Sequence, residues 1–213
     1  MAHYEQPDYV GSPSFSIPRG YLKIALNLLI SGTKRIKRNY SFSPDTLENP
    51  ITRKRVAEMH AEQDETEHRI RVDIFPGILS KPDELAELDI RFTWDDHRPN
   101  SYLAVEAKRL RGMVATLAGP YVEEGVMDFI NGKYSRGHNY GIMLGYVLSK
   151  PIEKAISTVR GALQKRKEKT NETSPFNVDS VVDCPLTYKS VHAQKNDEVT
   201  EIIILHVFVD LTS

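Results

Sequence analysis

The sequence predicts an α/β fold: a mixed central sheet flanked by helices, with a β-hairpin at its C-terminal end. Three observations carry this. Residues 68–75 alternate strictly, with Ile70, Val72 and Ile74 on one side, the pattern of a half-buried strand. Residues 140–148 form a short, nearly all-apolar run that suits a strand covered on both faces, and a helical pattern opens at Pro151 directly after it. Two strand-like segments, near 183–193 and 201–211, flank a polar turn at 194–198 and read as an antiparallel pair.

The remaining elements follow in order. Residues 1–19 contain Pro7, Gly11, Pro13 and Pro18 and read as an irregular arm, leaving 20–213 as a single domain. Residues 21–31 are apolar around more than one stripe and predict a buried helix, with Gly32 near its end. Ser43, Pro44 and Asp45 introduce a second helix from Glu48 to about Glu62, where Pro50 suits a first turn. Residues 81–87 are acidic and loop-like. Strands at 88–92 and 102–108 follow, separated by a polar turn. A connector ends at Pro120, and a helix over 121–134 presents Val122, Val126, Phe129 and Ile130. The helix opening at Pro151 runs to about Lys169, and a polar linker over 169–175 precedes the final strands.

Composition narrows the function classes. The 213 residues are 40 % hydrophobic and 27 % charged, with a net charge of −1. That balance is ordinary for a soluble domain and argues against a protein that coats nucleic acid. No apolar run approaches a membrane span. The N-terminal residues lack a basic segment followed by an apolar one, so the expected location is cytoplasmic. Cys184 is the only cysteine, which excludes an internal disulfide and a Cys-rich zinc site.

The chemistry-bearing residues lie on the two central strands. In the segment 102–108, Glu106 and Lys108 are two apart and share a face. Asp89 lies on the preceding strand. A buried sheet face seldom holds such charges unless something pairs with them. A hard divalent cation would, since it takes carboxylate oxygens. The opposing reading is solvated charge on an exposed face.

This Asp…Glu-x-Lys arrangement, within the order helix, three strands, helix, strand, helix over residues 45–170, resembles the PD-(D/E)XK, or restriction-endonuclease-like, nuclease superfamily. The match departs in one place: Leu88, not proline, precedes Asp89, while the literal Pro82-Asp83 pair falls in the loop before. The resemblance implies a metal-dependent DNA endonuclease, of a kind used in bacterial or phage defence, repair or mobile-element biology. Asp89, Glu106 and the Ala107 carbonyl would hold Mg²⁺ or Mn²⁺. Lys108 would orient the attacking water, and Glu48 would add a further acid from the preceding helix, with Glu58 and Glu62 as alternatives. Arg109, Arg111, Arg53, Tyr134 and Arg136 are candidate contacts to nucleic acid. Cutting both strands of a duplex would favour a homodimer or a partner subunit, with helix 21–31 or the N-terminal arm as the contact. The rival function is a catalytically silent nucleic-acid-binding or protein-interaction module of the same fold. His192 and His206, on the last strands, read as core or surface histidines rather than catalytic ones.

Overall fold

The computed structural model describes residues 17–66, 70–81, 84–94, 102–112, 114–135, 137–179, 186–194 and 201–212, with backbone only at 64–66, 78–81 and 84–86. Helices α1 (Arg19–Asn39) and α2 (Glu48–Thr66) come first. Five strands follow: β1 (Arg71–Ile74), β2 (Gly77–Lys81), β3 (Glu84–Glu87), β4 (Ile90–Thr93) and β5 (Tyr102–Leu110). A 3₁₀ turn (Ala115–Leu117) leads into α3 (Ala118–Tyr121), a π-helical turn (Val122–Val126) and α4 (Met127–Ile130). Strand β6 (Tyr140–Val147), helix α5 (Ile152–Gln164) and strands β7 (Glu172–Val178), β8 (Thr187–Ala193) and β9 (Glu201–Asp210) complete the chain.

Seven strands form one mixed sheet in the order β1-β4-β5-β6-β9-β8-β7, and β2 pairs with β3 in a separate antiparallel hairpin. The central pairs β5/β6 and β6/β9 are parallel, while the pairs on either side are antiparallel. Alternation along the central strands divides the core. Val105, Ala107, Ile142, Leu144, Tyr146, Leu205 and Val207 pack against α1 and α2. Ala104, Met143, Val147, Ile204 and Phe208 pack against α3, α4 and α5. Strand β6 is buried on both faces, as its unbroken apolar run requires. The arm predicted over 1–19 is described only from Ile17, which is buried and whose N–H donates to Asn139 Oδ1 at 2.9 Å.

The structure corrects several boundaries. Helix α1 passes through Gly32, because that glycine is a close contact rather than a stop. A Cβ there would come within 2.8 Å of Met59 Cγ on α2. Most apolar side chains of α1, among them Leu22, Leu26, Leu29 and Ile36, are buried within its own chain, while Ile24 and Ile30 are half-buried. The acidic stretch read as a loop supplies β3, which exists because β2 pairs with it. The second half of the polar linker read over 169–175 belongs to an edge strand, β7, which Pro175 suits because an edge leaves donors unused. The C-terminal pair is antiparallel as expected, and β9 also lies between β6 and β8, extending the central sheet.

A buried polar chain crosses this second core. His192 Nδ1 lies 2.9 Å from the Thr170 carbonyl, which can only accept, so Nδ1 carries the proton. His192 Nε2 then accepts from the Ser190 hydroxyl at 2.7 Å. Ser190 Oγ accepts from His206 Nε2 at 2.8 Å, and His206 Nδ1 accepts from the Tyr121 hydroxyl at 3.0 Å. Burial disfavours the charged form of both imidazoles, which as neutral rings take these tautomers, and neither has a free ring nitrogen for catalysis. Burial lowers His192 to about 4 and His206 well below its ordinary value, with the neighbouring His192 adding to the latter.

Because unfolded histidine takes up a proton below pH 6.5 while His192 stays neutral until about 4, stability is complete above that range. It falls as pH drops through it, by about 1.4 kcal/mol per pH unit for each imidazole. Denaturant titrations between pH 7 and 4.5 should therefore show a shallower loss for His192→Gln than for the parent protein. Carboxylates that shift in the opposite sense contribute equally to both proteins. Equal slopes would remove this assignment of the histidines.

Candidate active site

The site arises where β4 stops following β5. Their ladder runs from Thr93↔Tyr102 to Ile90↔Val105, whereas β5 continues to Leu110. Beyond Val105, the edge of β5 that faced β4 has lost its partner. The N–H groups of Ala107 and Arg109 point toward that edge, since alternate residues of a strand face the same side. Both are satisfied by carboxylates. Ala107 N–H donates to Asp89 Oδ2 at 2.6 Å, and Arg109 N–H donates to Glu48 Oε1 at 3.1 Å. The acids of two different elements thereby take up the ladder that β4 abandons.

Asp89 is not within a strand, as its sequence context suggested, but in the bend just before β4. Its position is nonetheless fixed. The Asp89 carbonyl accepts from Phe75 N–H at 3.1 Å, and the Pro76 carbonyl accepts from Leu88 N–H at 3.2 Å. Phe75 adopts a positive φ of 48°, a left-handed conformation that costs a non-glycine residue on the order of 1 kcal/mol. Glu48 opens α2, where Pro50 occupies the first turn. Glu106 and Lys108 share a face of β5, and Lys108 Nζ donates to Glu106 Oε1 at 2.7 Å.

The π-helical turn approaches Glu106 from the opposite layer. Gly125 permits this, because a Cβ there would meet Met143 Cε at 2.3 Å and lie 3.9 Å from Glu106 Cγ. The resulting cleft, about 420 Å³, is lined by Glu48, Asn49, Glu87, Asp89, Glu106, Ala107, Lys108, Arg109, Leu117, Pro120 and Glu124. Five carboxylates therefore face two cations.

The electrostatic consequence is large. Glu106 is only 5 % exposed, and burial, then the Asp89 charge, push its carboxyl up to about 8 against the pull of Lys108. Burial also raises Asp89, with the Ala107 N–H and Lys108 opposing and Glu48 adding to the rise. Burial alone would lower Lys108, but the charges of Glu106, Asp89 and Glu48 outweigh it and hold the ammonium. The donors suit a hard divalent cation: two neighbouring carboxylates short of positive charge, with the Ala107 carbonyl on the same open strand edge as its N–H. Among the described residues, however, no three His, Cys, Asp or Glu side chains gather closely enough to hold a metal ion. Glu48 is held on Arg109 rather than turned to the other two acids.

The other candidates divide. Arg109 and Arg111 flank the cleft but are held to the loop before α2, through the Asp45 carbonyl and carboxylate respectively. Arg53 is exposed on α2, its guanidinium 4.8 Å from the Phe75 ring centroid. Tyr134 is 4 % exposed and packs edge-on to Phe129, so its ring is not available for a base to stack on. Arg136 lies outside the described residues. Glu58 and Glu62 pair with Arg35 of α1, away from the cleft. Glu87, Glu124, Leu117 and Pro120 were not singled out in the sequence, where nothing distinguishes them; packing of the α3 region across β5 brings the last three in.

Among the described residues no helix is long and apolar enough to cross a membrane. Comparison with protein families, with curated proteins and with solved structures finds no match to this chain.

Because Glu106 is held in a place that disfavours its charge, its neutral isostere should be tolerated. Glu106→Gln is expected to unfold at a higher temperature than the parent protein in metal-free buffer at pH 7.5, by the equivalent of about 1–3 kcal/mol. Asp89→Asn should shift in the same direction. A calorimetric scan showing marked destabilisation of Glu106→Gln would contradict this electrostatic account.

Proposed function

We propose that the protein is a metal-dependent nuclease with a restriction-endonuclease-like core, hydrolysing phosphodiester bonds, with DNA as the favoured substrate. The observation that carries this reading is the convergence of Asp89, Glu106 and Lys108 in one cleft, at the point where the sheet opens. Further support comes from Glu48, which enters the same cleft from the helix preceding the first strand.

In this reading Asp89, Glu106 and the Ala107 carbonyl would hold Mg²⁺ or Mn²⁺, with Glu48 as a further carboxylate in the same cleft. The metal would supply Lewis acidity, polarising a phosphate oxygen and acidifying a bound water. Lys108, kept protonated by three carboxylates, donates a hydrogen bond to the attacking oxygen and stabilises the negative charge that develops on the phosphate. Arg109 and Arg111 engage the flanking phosphates as they release Asp45. A cleft with five acids and two cations repels a polyanion, so nucleic-acid binding should itself depend on the divalent cation.

Plasmid, linear and single-stranded DNA and RNA, each incubated with Mg²⁺, Mn²⁺ or EDTA, test the proposal directly. Cleavage is expected with either metal and none with EDTA. Asp89→Asn, Glu106→Gln and Lys108→Met should each lose about 10³-fold or more of the rate while remaining folded. Near-parental cleavage by Asp89→Asn or Glu106→Gln would remove the ligand assignment. Metal-independent binding of nucleic acid without cleavage would instead favour a silent binding module.

A further inference from the structure

One buried polar cluster lies outside the cleft yet touches the helix that supplies Glu48. On α2, Glu48, Thr52 and Arg55 are spaced i, i+4, i+7 and so share the face turned to the sheet. Thr52 and Arg55 are fully buried, in a core otherwise built from aliphatic and aromatic side chains. Thr52 Oγ1 lies 3.0 Å from the hydroxyl of Tyr146, itself fully buried on β6. The Arg55 guanidinium sits over the Tyr146 ring, 5.1 Å from its centroid, and Nη1 donates to the Leu29 carbonyl of α1 at 2.7 Å. Among the described residues, its Nε and Nη2 have no hydrogen-bond partner.

A desolvated guanidinium with two unsatisfied nitrogens is costly, and an apolar side chain of similar volume would fill the space more favourably. What the arrangement supplies is geometry. Tyr146 stands opposite Arg109 in the β5/β6 register, and Arg109 is the residue whose N–H holds Glu48. One hydrogen bond therefore ties the helix bearing Glu48 to the strand that neighbours β5, one turn of helix from the carboxylate. Apolar contacts alone would let α2 slide or rotate on the sheet, because they are non-directional.

We propose that Thr52 and Tyr146, braced by Arg55, are positioning residues that set Glu48 over the open edge of β5. The metal-binding part of this inference rests on the nuclease reading; the positioning of Glu48 does not.

The test uses the whole chain and two readouts. Amide hydrogen exchange at Arg109 reports the Glu48 contact with no metal present. Tyr146→Phe and Thr52→Val should each accelerate that amide about tenfold while leaving the amides between β6 and β9 unchanged, and Thr52→Ser should restore it. Calorimetric titration with Mn²⁺ should show about tenfold weaker binding for Tyr146→Phe, and no further loss when Tyr146→Phe is added to Glu48→Gln. Unchanged exchange at Arg109, equal acceleration throughout the sheet, or an equal loss of Mn²⁺ affinity in both backgrounds would each overturn the proposal. Absence of Mn²⁺ binding by the parent protein would overturn the metal reading alone, and the exchange result would still decide the positioning role.

Discussion

The early departure of β4 from β5 is the constraint on which the site depends. A strand that loses its neighbour leaves backbone donors that must find partners. Here the partners are the carboxylates of Asp89 and Glu48, on Ala107 and Arg109. Each acid is thereby anchored to the backbone of β5. An ordinary need of sheet structure, satisfaction of a broken ladder, thus delivers two acids from distant segments to the same edge.

That arrangement concentrates negative charge where desolvation makes it expensive. Lys108 offsets part of it, but Glu106 still rises to about 8. The surroundings sharpen the conflict rather than relieve it. Gly125 admits the π-helical turn to the neighbourhood of Glu106, and Asp128 on α4 adds to the unfavourable field. Phe75 holds a left-handed backbone while donating to Asp89. Local conflicts of this kind concentrate where function, rather than stability, has selected the geometry.

The rest of the protein supplies rigidity. Strands β5, β6 and β9 form a parallel centre covered on both faces, and directional polar contacts lie within both helical layers. On one side the Tyr121–His206–Ser190–His192 chain runs in a single sense to the Thr170 carbonyl. On the other, Thr52 and Arg55 meet Tyr146. Hydrophobic burial holds these layers together but is indifferent to small sliding motions, whereas a buried hydrogen bond is satisfied in only one register.

Much of this was readable from residue order. The alternation around Val72, the apolar run of β6, the two-residue spacing of Glu106 and Lys108, and the position of Pro50 after Glu48 are local patterns with local physical causes, and the structure contains the elements they specify. Their setting on the terminal strands marked His192 and His206 as structural rather than catalytic, but left core and surface open; the structure buries both. What it lacked was any sign of pairing. β3 and β7 are polar segments that become strands because β2 and β8 lie beside them. Gly32 is indistinguishable from a helix stop until Met59 is placed against it. Asp89 is a bend residue because β4 diverges, and Tyr134 is a core residue because the turn after α4 folds inward; neither fact is written in the neighbouring residues. The chain by itself determined which groups are chemically capable. The tertiary structure alone decided which of them line one cleft, because the placement of Glu48, Asp89 and Glu106 around the end of β5 depends on helix-to-sheet packing and strand register, which act between residues far apart in sequence.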